Sequence, residues 1–281
     1  MASDAHAHPW DLLERFPGAE KERRRLGVAC AASAWNLRDF ERHEELARQA
    51  HAGGAAPLAL CFAVHPQLPS VLADRTVLAG QEEEAGQKGV WDHAADLEKL
   101  AAAGRIQAAG ETGFDLFNQE YRRTEALQEE LFHAHLEIAE KYGLPVVLHI
   151  RRAMHKVFAH AGALKKLPAV VFHSYSGTAA EGDALLKRGV NAMFSFGAAI
   201  LLNHKTAMEA CACLPGDRLL LETDAPYQPL RGAFFSRWAD LPAILTGAAG
   251  LRSEDKEELE AAVDENWKRV FGIFPGLNCK A

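Results

Sequence analysis

Six side chains able to ligate a metal ion stand at or just past the ends of apolar runs in this sequence. His6 and His8 lie two apart in Asp4-Ala5-His6-Ala7-His8-Pro9. In an extended strand that spacing points both imidazoles the same way. Glu111 sits in Gly110-Glu111-Thr112-Gly113, and its flanking glycines permit the close backbone approach of a crowded site. His149 and His173 close the runs Val146-Val147-Leu148 and Val170-Val171-Phe172, and Asp224 follows Leu219-Leu220-Leu221-Glu222-Thr223. A carboxylate at a buried strand end is costly unless it is paired or bound to metal. Four imidazoles and two carboxylates exceed one tetrahedral zinc site, and the mixed nitrogen and oxygen set suits Zn, Mn or a related divalent ion. Two ions bridged by Glu111 fit that donor number better than one.

These groups must be carried by elements that bring distant parts of the chain to one place. Strand-like runs appear near 3–8, 26–32, 57–64, 106–115, 145–151, 169–173, 190–196 and 219–224. Helical stretches separate many of them, over about 37–52, 91–103 and 121–142, with a last helix over 253–271 that Ser253 is expected to cap. This βαβ rhythm predicts an α/β fold, a single-domain (β/α)8 TIM barrel over 1–281, with the site at the C-terminal ends of the strands. An open doubly wound sheet is the alternative, and the absence of a glycine-rich phosphate loop after the first strand argues against it. Residues 11–24 read as polar loop, and the basic run Lys21 to Arg25 as a solvated face. Residues 67–95 read as an irregular excursion near the mouth. His133 and His135 read as surface or packing groups, His155 and His160 as surface groups without partners.

With 281 residues, 48% of them hydrophobic, the chain can bury the core of such a barrel. A net charge of −7 argues against a tight non-specific DNA binder, though not against an enzyme whose metals meet the phosphate. The five cysteines are odd in number without a CxxC pattern, and Cys30 and Cys61 lie in apolar runs, as buried free thiols would. No stretch has transmembrane length and the opening residues carry no apolar signal region, so the expectation is a cytoplasmic monomer.

The motifs together resemble the TatD family of metal-dependent hydrolases, within the amidohydrolase-like barrels. The matching pieces are Asp4 to His8, Val64-His65-Pro66, Gly110 to Asp115, Leu148 to Arg151, Phe172 to Gly177, Leu221 to Tyr227 and the closing Asn266 to Gly272. The resemblance implies a binuclear centre of Zn, Mg or Mn. In it His6, His8 and Asp224 hold one ion, His149 and His173 the other, and Glu111 is shared. It also implies DNA as substrate, attacked exonucleolytically on single strands in the 3′–5′ direction. Asp224 is then the general base. Glu222 orients a ligand histidine or the water, or belongs to a buried structural pair. His65 and Arg151 contact non-bridging phosphate oxygens, which suits the planar fork of arginine. Tyr175, Phe196, Tyr227, Phe234 and Phe235 are candidates for base stacking or for packing. The alternative is a small-molecule amidohydrolase or phosphoesterase using the same two ions.

Overall fold

Successive residues of a strand face opposite ways, and apart from the polar residues of the first, fourth and fifth strands the strand residues of this chain are apolar or small on both faces. Such strands need cover on both sides. The computed structural model, which describes residues 2–72 and 89–272, provides it by rolling the strands into a ring with helices outside. The strands are β1 (Ser3–Ala7), β2 (Ala29–Ala34), β3 (Leu58–Phe62), β4 (Ala108–Asp115), β5 (Val146–Arg151), β6 (Val170–Phe172), β7 (Ala192–Phe196) and β8 (Leu219–Leu221). All seven successive pairs are parallel, in the order β1 to β8. The ring closes just past β8, where Asp224 N–H donates to the His6 carbonyl at 3.0 Å and His8 N–H to the Ala225 carbonyl at 2.8 Å. The TIM barrel expected from the alternation of elements is therefore the fold.

Two apolar clusters divide the strand residues by parity. Ala29, Ala31 and Ala59 belong with Val147, Val171 and Met193 to the lumen, while Cys30, Ala32 and Leu60 belong with the surrounding helices. Trp267 and Phe271, from the helix Lys256–Phe271, join the lumen cluster. Trp267 Nε1 donates to the Asp4 carbonyl at 3.1 Å, and Asn266 Nδ2 to the carbonyls of Gly216 and Leu219 at 2.8 Å. That helix therefore corks the N-terminal end of the barrel and leaves the opposite rim open. No helix among the described residues is long and apolar enough to cross a membrane. Cys30 and Cys61 are buried and free.

Several local expectations are corrected. Residues 11–24 are not loop: Pro9 starts the helix Pro9–Arg15, and a second helix spans Ala19–Leu26. The second helix has no apolar stripe to announce it, because it packs through charge. Arg23 is fully buried. Its guanidinium donates to Glu20 and to the carbonyls of Val28 at 2.6 Å and Ala56 at 2.8 Å. Of the basic run, Lys21, Arg24 and Arg25 are exposed, as a solvated face would be, and only Arg23 is an interior strut. Gly27 ends this helix in left-handed conformation (φ 66°), which moves the start of β2 to Ala29. The predicted helix over 121–142 breaks at Arg123-Thr124 into Gln119–Arg122 and Glu125–Tyr142. Ser253 does not cap the last helix; it ends the preceding one, and Asp255 caps by accepting from Glu257 and Glu258 N–H. His160 has partners: Glu129 at 2.6 Å and the ring of Phe114 stacked at 14°. His135 is buried and accepts from Val64 N–H at 3.0 Å, so it is a packing residue as expected. Of the excursion, 68–72 and Val90–Ala102 are helical, and 73–88 lie outside the described residues.

Replacing Arg23 with methionine keeps the volume but strands two carbonyls and Glu20. We expect a loss of about 2–4 kcal/mol in urea denaturation, with an unchanged m-value and an unchanged metal content.

Candidate metal centre

The open rim gathers the strand-end residues because parallel strands deliver every C-terminus to the same side. β1 supplies His6 and, one residue past its end, His8; β4 supplies Glu111; β5 supplies His149. His173 follows β6 directly, and Asp224 follows β8 by three residues. Three residues that turn off strand ends take left-handed backbone: Arg152 (φ 54°), Ser174 (φ 45°) and Asp224 (φ 50°). Gly113 (φ 131°) is required for a second reason, since a Cβ there would collide with the His149 carbonyl on β5.

Glu111 is the hub. His6 Nε2 and His8 Nε2 each lie 3.3 Å from its Oε1. The same two nitrogens lie 3.7 and 3.6 Å from Asp224 Oδ1. Around Oε2 stand His173 Nε2 at 3.2 Å, His149 Nδ1 at 3.3 Å and His65 Nε2 at 3.4 Å. All six sequence-derived ligands are thus brought together, and His65 stands with them, although the sequence suggested only a phosphate contact for it. His6 Nε2 is buried without a hydrogen-bond partner. Three triads, His6/His8/Glu111, His65/Glu111/His149 and His6/His173/Asp224, each have donor atoms within 4.8 Å of one another. Imidazole and carboxylate atoms that converge on one point, one of the nitrogens left unpaired, fit a metal centre.

A further shell of acids holds these rings. Asp115 Oδ2 is 3.1 Å from His149 Nε2 and also accepts from Gln67 Nε2 at 2.6 Å. Glu222 stands behind His173, its Oε1 3.3 Å from Nδ1 and accepting from Ser174 N–H and Oγ at 2.7 Å. Asp4 accepts from His6 N–H at 3.2 Å and Thr223 Oγ1 at 2.7 Å. Such outer partners fix ring orientation and ligand basicity. Asp115 and Asp4 were visible in the sequence only as motif letters. Asp115, four residues after Glu111, shares its strand face, and that parity was the available signal. Gln228, which donates to Asp224 Oδ2 at 2.8 Å, carried none. Of the rim aromatics, Tyr175 and Phe196 are core, whereas Phe234 and Tyr227 are exposed.

Electrostatics follow the geometry. Burial pushes His8 down, but Asp224 and Glu111 outweigh it and raise the imidazole to about 10. His149 and His173 are likewise raised against burial, by Asp115 with Glu111 and by Glu222 with Glu111. Burial pushes Glu111 and Asp224 up, yet the surrounding imidazoles hold both below the usual carboxylate range. Burial raises Asp4 to about 8. His65 is lowered by burial, which keeps it neutral and able to ligate.

The rim opens into a cleft of about 1370 Å³ that includes His8, His65, Glu111, His149, His173 and Asp224 in its wall. Arg151 lines it too, donating to Asp115 Oδ2 at 3.3 Å. A closed ring of parallel strands with imidazoles and carboxylates nested at its C-terminal rim defines a barrel-type, metal-dependent hydrolase. The chain belongs to the TatD related DNase family, whose model matches residues 3–272. It is 32% identical over 248 residues to the 3'-5' ssDNA/RNA exonuclease TatD of Shigella flexneri, covering 85% of each chain. It is 31% identical over 265 residues to the protein of that name from Escherichia coli K12, covering 88% of this chain and 92% of that one. Among solved structures, a TatD homologue from Escherichia coli aligns with TM-score 0.78 at 24% identity, over 97% of this chain and 98% of that one. A TatD family hydrolase from Entamoeba histolytica aligns with TM-score 0.72 at 16% identity, over 96% and 97%. These structural likenesses bear on the fold alone.

The raised imidazoles make a pH prediction. A histidine whose folded pKa exceeds its ordinary 6.5 stabilises fully below 6.5, and that stability is lost as pH rises through about 10 for His8. Asp4, raised to about 8, acts in the same direction, because it must ionise while buried. The depressed carboxylates lose their contribution only at the acid end. With chelator present, the melting temperature should therefore fall between pH 6.5 and 9.5, and His8→Asn should flatten that fall. Saturating Zn should flatten it as well, since neutral imidazoles are then the bound form.

Proposed function

We propose that the chain is a 3′–5′ exonuclease acting on single-stranded nucleic acid with two divalent ions. The observation that carries this reading is the division of Glu111: one oxygen faces His6 and His8, the other His65, His149 and His173. A bridging carboxylate between two ions fits that arrangement. His6, His8 and Asp224 would hold one ion, and His149 and His173 the other, with His65 beside it. The predominance of imidazole favours Zn over Mg. Ions bound there would acidify water and neutralise charge developing on the phosphodiester.

The chain's own groups do the rest. Asp224 presents Oδ1 to the metal side, while Gln228 fixes Oδ2. In that position it takes the proton as water adds to phosphorus and the P–O bond to the leaving alcohol breaks. Glu222 and Asp115 act as positioning residues, keeping His173 and His149 turned toward Glu111. Arg151, held by Asp115, presents its remaining N–H groups to the non-bridging oxygens. His65 serves as a ligand or as a donor to the same oxygens. The substrate follows from the exonuclease relatives and from the cleft, whose volume exceeds the roughly 300–1,000 Å³ of ordinary small-molecule sites. A small-molecule phosphoesterase would not need that space.

The test uses metal-loaded protein with 5′- and 3′-labelled single-stranded oligonucleotides. Stepwise shortening from the 3′ end is expected, abolished both by chelator and by His149→Ala. Asp224→Asn should lower kcat by roughly 10²–10⁴-fold, the usual worth of a general base. An inert oligonucleotide in the presence of bound metal, with turnover of small esters, would overturn the substrate assignment.

A further inference from the structure

The mouth of the cleft carries cationic capacity that one scissile phosphate does not exhaust. β5 ends in Arg151, and Arg152 follows it in left-handed conformation. Both guanidinium carbons lie over the ring of Phe117, at 4.1 Å for Arg151 and 4.5 Å for Arg152. Phe117 itself is 43% exposed, so the ring serves these arginines more than it serves the core. Stacking on an aromatic face orients a guanidinium while leaving its edge N–H groups free. Each arginine carries five such donors. Arg151 donates to Asp115 at 3.3 Å and Arg152 to the Phe117 carbonyl at 3.2 Å. Among the described residues no carboxylate pairs with Arg152. Two like charges on one exposed ring repel, and an anion between or beside them relieves that repulsion.

Position says which anion. A ladder of contacts leads outward from the metal ligands: His149 to Asp115 at 3.1 Å, Asp115 to Arg151 at 3.3 Å, then both arginines on Phe117. Phe117, Arg151 and Arg152 line the same cleft as His149 and Asp224. We propose that Phe117 and Arg152 form a subsite for a second phosphate of the substrate strand, the one neighbouring the bond being cleaved. This rests on the polynucleotide reading given above. Arg151 faces the scissile phosphate, Arg152 the next one, and Phe117 sets the angle between the two guanidinium planes. The subsite makes the enzyme prefer a chain of phosphodiesters over an isolated one.

The number of phosphates in the substrate tests it. A thymidine dinucleoside monophosphate has one phosphodiester, and the corresponding trinucleoside diphosphate has two. With metal-loaded full-length enzyme, kcat/KM is expected to favour the trimer about tenfold or more, chiefly through KM, as a charge-assisted hydrogen bond would give. Arg152→Ala should erase that preference, and Arg152→Lys should restore part of it as a point charge. The slope of log(1/KM) against log salt for the trimer should shrink by about 0.7 in Arg152→Ala, the value for one lost single-strand phosphate contact. Arg152 is exposed, so its removal leaves the fold intact, and metal content serves as the check. A trimer preference retained in Arg152→Ala overturns the subsite while leaving the nuclease standing. Cleavage of neither oligomer, with turnover of bis(p-nitrophenyl) phosphate, overturns both.

Discussion

The structure depends on one buried carboxylate. Glu111 is 7% exposed within the barrel strand β4, where an isolated negative charge would be untenable. Five imidazoles from β1, β3, β5 and β6 or the residues just beyond them lie within 3.4 Å of its two oxygens. Those imidazoles must in turn be held. Asp115 and Glu222 hold two of them, Ser33 Oγ stands 3.2 Å from His6 Nδ1, and Asp4 holds the His6 backbone N–H; each of these acids is anchored by further donors. The acids and imidazoles are mutually compensating only while the strands keep their register, so the electrostatics and the barrel specify each other.

The same constraint explains where the backbone is strained. Arg152, Ser174 and Asp224 sit in left-handed conformation one, two and three residues beyond β5, β6 and β8. For non-glycine residues this costs on the order of 1–3 kcal/mol each. Asp224 is over-determined by its surroundings: its N–H bonds to the His6 carbonyl, and its carboxylate is held by Gln228. Ser174 donates twice to Glu222. The strain is therefore tied to the residues that aim side chains into the rim, whereas the N-terminal end, corked by Trp267, carries stability. Separating the two ends lets the site stay polar and open without weakening the lumen.

How much of this was legible from sequence follows from what each residue packs against. The six candidate ligands stood out because apolar runs followed by His, Glu or Asp have no reason to recur by chance. The barrel was legible for the same reason, since βαβ repetition leaves few topologies. What stayed hidden was paired polarity. Arg23 in a run of charges looks solvated, yet its partners are backbone carbonyls and a neighbouring glutamate, and no hydrophobic period can report that. His65 read from the sequence as a phosphate contact; only the curvature of the ring brings it against Glu111. Ser253 is a good cap residue by type, but its left-handed conformation makes it an ending instead of a beginning.

The rim also shows why ligand identity and substrate reach are separable in this chain. Asp115 contacts His149 on one side and Arg151 on the other. It remains ionised because, although burial opposes it, His149, Gln67 and the Phe117 N–H hold its carboxyl well down. One anion thus orients a ligand toward Glu111 and steadies the first cation of the cleft wall. From there Phe117 carries the order outward to Arg152. On the proposed reading, changes at Phe117 or Arg152 alter how the substrate strand is gripped without touching a candidate ligand, whereas a change at Asp115 must disturb both. Chemistry is fixed by the strands, and reach is set one layer out, by residues that contact the ligands only through Asp115.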